Sequence, residues 1–236
     1  MCEGVSSDPV GRPVSARPLE VLDVGVLGYA DALELQEELV RKRRAGEVPD
    51  TLILVEHPHV LTMGSSTDTA HILVDEAERD RLGIELHAAG RGGDVTYHGP
   101  GQLVAYPILD LKPDRKDLHR YLRDLEHVLM RVSDSYGVSA QRSEDGTGVW
   151  TETGKLAAIG IRVSSGWITS HGIALNVRTA LEYFDTIVPC GIADRGVTSL
   201  ERELGHAPDA AQVRNRFVEH FCAVFEHEIP VARPTP

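Results

Sequence analysis

Little in this chain suits export, disulfide stabilisation or nucleic-acid binding. No window approaches the about 18 uninterrupted apolar residues of a membrane-spanning helix, and Met1-Cys2-Glu3-Gly4 lacks the basic and then apolar stretches of a secretion signal. A cytosolic protein without a membrane partner is expected. Cysteine is scarce: Cys2, Cys190 and Cys222 show no paired spacing, which argues against a disulfide framework and a Cys-x-x-Cys metal site. Positive charge is in deficit, with 24 Lys and Arg against 36 Asp and Glu and a net charge of -12, so no nucleic-acid partner is expected. Phosphate loops are missing as well. Neither G-x-x-x-x-G-K-[ST] nor G-x-G-x-x-G occurs, and Gly154-Lys155 continues into Leu156 where a hydroxyl residue would be needed. There is no internal repeat, coiled coil or low-complexity tract.

What is present is enough for one large domain: 236 residues, 42% of them hydrophobic. Residues 1–18 and 230–236 read as flexible tails, with a single folded domain over residues 19–229. Apolar and β-branched runs predict strands at residues 19–26, 51–56 and 103–109 around a helix at residues 29–44. Leu118, Tyr121, Leu122, Leu125, Val128, Leu129 and Val132 recur at steps of three and four, predicting a core-facing helix over about 117–136 with Asp114 and Asp117 at its start. Val213, Phe217, Phe221, Val224 and Phe225 predict a last helix over about 210–226. Period-two alternation predicts strands at 156–163 and 172–177 joined by a turn at Ser164-Ser165-Gly166. The fold class is therefore α/β or α+β.

Two segments stand out chemically. Arg91-Gly92-Gly93-Asp94-Val95-Thr96-Tyr97-His98-Gly99-Pro100-Gly101 holds four glycines, each costing about 0.5–1 kcal/mol relative to alanine inside regular structure. Either a tight turn beside a bulge or a bare-backbone wall for a ligand satisfies that pattern. In Pro189-Cys190-Gly191 the thiol sits between a residue of fixed φ and one of free φ, as at the mouth of a turn, although a lone cysteine reads equally well as an inert buried group. To act as a nucleophile it needs a base, because a free thiol of pKa about 8.5 is mostly protonated at neutral pH. Lys155, His98 and His171 are the candidates. A lysine opening the apolar strand Leu156-Ala157-Ala158-Ile159 is disfavoured as a charge, yet it also fits a solvated strand end. Glu56-His57-Pro58-His59 lacks the i, i+4 spacing of a helical zinc pair, and no metal is expected. Arg41-Lys42-Arg43-Arg44 fits favourable charge in a last helical turn, or a place to receive an acidic partner.

Arg91–Leu111, Gly154–Gly160, His171–Asn176 and Pro189-Cys190-Gly191, in this order, resemble the lipoyl/octanoyl transferase family over nearly the whole stretch 19–225. The resemblance implies a single catalytic domain with the biotin and lipoate protein ligase fold, mixed sheets flanked by helices. It implies that Cys190 takes an octanoyl group as a thioester and that Lys155 lowers the thiol's pKa and shuttles protons. The donor would be octanoyl-acyl carrier protein, delivering the group on its phosphopantetheine arm with no other cofactor. The acceptor would be a lysine on the lipoyl domains of 2-oxoacid dehydrogenase E2 subunits or on the glycine-cleavage H protein. The acyl-binding walls implied are Arg91, Gly92, Gly93, Asp94, Val95, Thr96, Tyr97 and His98, then Ala158, Ile159 and Gly160, and Gly172, Ile173 and Ala174. Gly and Ala there would leave room for an eight-carbon chain, whose buried methylenes contribute about 0.8 kcal/mol each. His98 and His171 would support from behind. Ser65-Ser66 stand where the family commonly carries a basic residue.

Overall fold

A computed structural model describes residues 17–143, 146–188 and 196–229. In chain order the elements are β1 (Arg17–Val26), α1 (Tyr29–Ala45), β2 (Asp50–Glu56), β3 (Val60–Met63), α2 (Glu76–Leu82), β4 (Glu85–Ala88), β5 (Thr96–His98) and β6 (Gln102–Ile108). There follow α3 (Leu118–Asp134), β7 (Gln141–Ser143), β8 (Gly146–Trp150), β9 (Lys155–Val163), β10 (Thr169–Asn176), α4 (Leu200–Leu204), α5 (Ala210–Phe225) and β11 (His227–Glu228). The chain is mixed α/β with sheets flanked by helices, and each helix and strand expected from periodicity is present within a few residues.

Eight strands form one sheet in the order β11-β1-β2-β6-β10-β9-β8-β7, parallel between β1 and its two neighbours and antiparallel elsewhere. Period-two alternation sends successive side chains to opposite layers. Leu52 and Leu54 of β2, Leu103 and Ala105 of β6, and Ile173 and Leu175 of β10 join α3 and α5 in the main core. Ile53, Val55, Val104, Tyr106, Ile108 and Ala174 face α1 in a second core. Both faces of the central strands are thus buried, which is why β2 and β6 read as continuous apolar runs.

The helix ends are set locally. Asp75, Asp117, Ser199 and Asp209 each accept a hydrogen bond from the backbone N–H three residues on, and Gly46, Gly83 and Gly205 close α1, α2 and α4 in the left-handed region. Asp114 does not cap α3 as expected; its carboxylate pairs with Arg17, where β1 begins. Leu118, expected on the buried stripe, is 44% exposed because it sits in the first turn, ahead of the core contact. A smaller sheet, β4-β3-β5, was not apparent from sequence. It lies over a third apolar cluster that includes Leu61, Ile84, Val95, Tyr97, Phe184 and Ile187. Among the described residues, no helix is long and apolar enough to cross a membrane.

Candidate active site

A cavity of about 250 Å3 is bounded by β9 and β10 on one side and by the glycine-rich loop and β5 on the other. That is just below the roughly 300–1,000 Å3 of sites for drug-sized ligands, so a slender occupant suits it. The antiparallel register places small residues in cross-strand pairs along one wall: Ala158 faces Ala174, and Gly160 faces Gly172. Opposite them, the loop is fixed by backbone bonds from Gly92 N to Ile161 O (3.0 Å), Ser65 N to Arg91 O (2.8 Å) and Ser66 N to Gly93 O (3.0 Å).

Arg91 is buried and its guanidinium is occupied. It donates to Thr62 O (2.7 Å), Thr62 Oγ1 (2.9 Å), Asp94 O (2.9 Å) and Gly92 O (3.1 Å), tying the loop to β3. Its stem crosses Gly160: a Cβ there would lie 2.9 Å from Arg91 Cδ. A Cβ on Gly172 would lie 2.1 Å from Ala105 O. These two glycines therefore make room for the protein's own atoms while also lining the cavity beside Ala158 and Ala174.

Of the expected wall residues, Arg91, Gly92, Gly93, Asp94, Val95, Thr96, His98, Ala158, Ile159, Gly160, Gly172, Ile173 and Ala174 all line this cavity. Tyr97 does not. The alternation of β5 turns it to the other face, where its hydroxyl bonds His59 Nδ1 (2.8 Å) and its ring stacks on Tyr183 at 5.3 Å.

Lys155 lines the cavity at the start of β9. Its backbone is pinned on both sides, donating to Gly196 O (3.1 Å) and accepting from Thr198 N (3.0 Å), and its Nζ lies 4.7 Å from the centre of the buried Trp150 ring. Cys190 lies outside the described residues. On one flank of its segment, Val188 N donates to His71 O (2.8 Å); on the other, Gly196 meets Lys155 and Val197 lines the cavity.

His171, expected only to support the site from behind, lines the cavity, as does His98, expected both as a wall residue and as a support. His98 Nδ1 donates to Gln102 Oε1 (2.7 Å), Gln102 Nε2 to Asn176 Oδ1 (2.9 Å), and Asn176 Nδ2 to Thr198 O (3.0 Å). That buried relay ends at the residue bonded to the Lys155 carbonyl. Its members Gln102 and Asn176 lie inside the motifs Arg91–Leu111 and His171–Asn176, but a single amide carries no sequence signature of such a role. His57 donates from Nδ1 to Leu27 O (2.8 Å) and accepts at Nε2 from Tyr106 Oη (2.8 Å), which makes it a structural hydrogen-bonding residue beside Tyr29 and His98. Tyr29 and Tyr106 were also not anticipated as cavity residues.

Burial pushes His98 down to about 3 and His171 to about 4, the cationic Arg91 adding to both, while Tyr29 is pushed up to about 12 by burial. Both histidines are neutral at pH 7. For a histidine whose folded pKa lies below its ordinary 6.5, the unfolded chain binds more protons between the two values. Stability is then full above about pH 6.5 and falls as pH drops toward 4, with a slope up to about 1.4 kcal/mol per pH unit for each histidine. Denaturant titrations of wild type and His98→Gln across pH 4–7 are expected to show a shallower slope in the variant; parallel curves would refute this.

The architecture is that of protein ligases acting on lipoate and biotin. At 16% identity and a TM-score of 0.71, the chain is similar to the bi-partite lipoate protein ligase of Thermoplasma acidophilum, covering 91% of this chain and 86% of that one. At 15% and 0.54 it is similar to the biotin protein ligase of Aquifex aeolicus, covering 89% and 70%. Sequence is more specific. The chain belongs to the lipoyl protein ligase A/B catalytic domain family, whose model matches residues 28–222. It is 54% identical over 198 residues to the octanoyltransferase of Rubrobacter xylanophilus, covering 84% of this chain and 89% of that protein.

Proposed function

We propose that this acyltransferase of the octanoyltransferase group carries octanoate into protein lipoylation through a covalent enzyme intermediate on Cys190, with Lys155 as acid and base. In the first half-reaction Lys155 takes the Cys190 proton and the thiolate attacks the thioester of octanoyl-acyl carrier protein. The carrier's phosphopantetheine thiolate leaves and takes a proton. Backbone N–H groups near Cys190 and the glycine loop steady the tetrahedral oxyanion. In the second, neutral Lys155 accepts a proton from the acceptor's ammonium, and the freed amine attacks the Cys190 thioester, forming an amide and restoring the thiol. Exchanging a thioester for an amide is downhill, so no ATP, metal or other cofactor enters. The reaction would take place in the cytosol, with lipoyl domains as acceptors.

The observation that carries this reading is Lys155 at a narrow cavity walled by Ala158 and Ala174, with the chain re-entering beside it at Gly196, six residues beyond Cys190. Incubation with octanoyl-acyl carrier protein, without ATP, is expected to add one octanoyl mass to the intact protein. Hydroxylamine should remove it, and Cys190→Ala should not acquire it. Acylation of Cys190→Ala to the wild-type extent would rule out the thioester, and a strict requirement for ATP would point to ligase chemistry.

A further inference from the structure

A second groove, also of about 250 Å3, runs between the C-terminal half of α1 and the β9–β10 turn. Its lining concentrates positive charge on an otherwise acidic protein. Arg41 and Arg44 of α1 face it together with Arg162 of β9, and Glu37 is the one carboxylate of the lining. Among the described residues these three arginines have no ion-pair partner, whereas their neighbours Lys42 and Arg43 are paired with Glu38 and Asp50. Two further donors in the lining are buried with no acceptor among the described residues: Gln36 Nε2 and Ser164 Oγ. The Gln36 amide cannot simply turn over, because its Oε1 accepts from His171 N at 2.8 Å. Unpartnered donors gathered at one groove signal an anionic occupant.

We propose that this groove is the docking surface for the acidic carrier protein that brings the acyl thioester, its carboxylates seating on Arg41, Arg44 and Arg162. The inference rests on the carrier-donor reading above. Three observations favour a protein surface over a small free anion. The arginines are exposed and stand on two separate elements flanking an open groove, so they suit several carboxylates at once. With a net charge of -12, the chain repels an acidic partner in general, and a concentrated basic site both steers and orients it. His171 lines both the groove and the acyl cavity, so the docked carrier abuts the site it supplies.

The test compares two donors, octanoyl-carrier protein and the small thioester octanoyl-N-acetylcysteamine, on wild type, on Arg41→Glu/Arg44→Glu and on Arg162→Glu. Each variant is expected to raise KM for the carrier-borne donor about tenfold or more, with kcat little changed, and to leave the small donor unaffected. Raised salt should weaken the wild type's use of the carrier more than the variants'. Equal losses with both donors, no change with either, or a raised KM for the lipoyl-domain acceptor instead would overturn the assignment. So would inorganic phosphate binding that the variants abolish while carrier KM stays constant. Wild type that turns over the small thioester and never the carrier would refute the donor reading itself, a result distinct from any failure of the groove.

Discussion

Lys155→Arg should lower octanoyl transfer about 10²–10⁴-fold, the range spanned by general acid–base catalysis, while leaving the fold intact. A guanidinium keeps a cation over the Trp150 ring, where the lysine Nζ lies 4.7 Å from the centroid, so this packing contact survives. It does not exchange its proton at any pH the protein tolerates. Both proposed half-reactions need that exchange, so on that reading acylation of Cys190 and transfer to the acceptor should fall together, as read by single-turnover mass spectrometry beside an unchanged melting curve. Retained transfer would remove Lys155 from proton transfer, and a collapsed melting curve would assign it to structure.

The second large effect is on stability. Gly172→Ala places a Cβ 2.1 Å from Ala105 O and 2.7 Å from Pro107 Cδ, across the pairing of β10 with β6 at the centre of the main sheet. Backbone atoms cannot swing aside as a side-chain tip does, so the strands must part locally, costing about 1–3 kcal/mol or more. Gly92→Ala is the matched control. Its Cβ would meet Ile161 O at 3.5 Å, an ordinary contact, and stability should change by less than about 1 kcal/mol. Denaturant midpoints of the two variants against wild type decide the matter; an undestabilised Gly172→Ala would mean that β10 and β6 are not packed as described.

Gly160 and Gly172 show how far the residues could be interpreted before folding. The density of glycine and alanine around residues 91–101, 158–160 and 172–174 was legible as a demand for close approach. What approaches was not legible: at Gly160 it is the Arg91 stem, and at Gly172 it is a carbonyl of the neighbouring strand. Tyr97 lies off this cavity for a related reason. It shares the motif with Thr96 and His98, but a strand turns every second side chain away, and β5 is only three residues long, too short to reveal its phase. The short strands of the small sheet were missed alike, whereas α3 and α5 were found because each repeats its apolar stripe over four or more turns.

By itself the sequence determined the alternation of helices and strands, the long apolar stripes and the four motifs whose order marks the family, because these depend on residue type and spacing along one chain. Tertiary structure alone decided that His171 lines the cavity, that Gln102 and Asn176 link His98 to the backbone beside Lys155, and that Arg41, Arg44 and Arg162 share a groove. Those arrangements join residues from strands and helices distant in sequence. Burial, hydrogen-bond partners and the pKa values they impose are set by where the sheet register and the crossing of α1 over it bring them together.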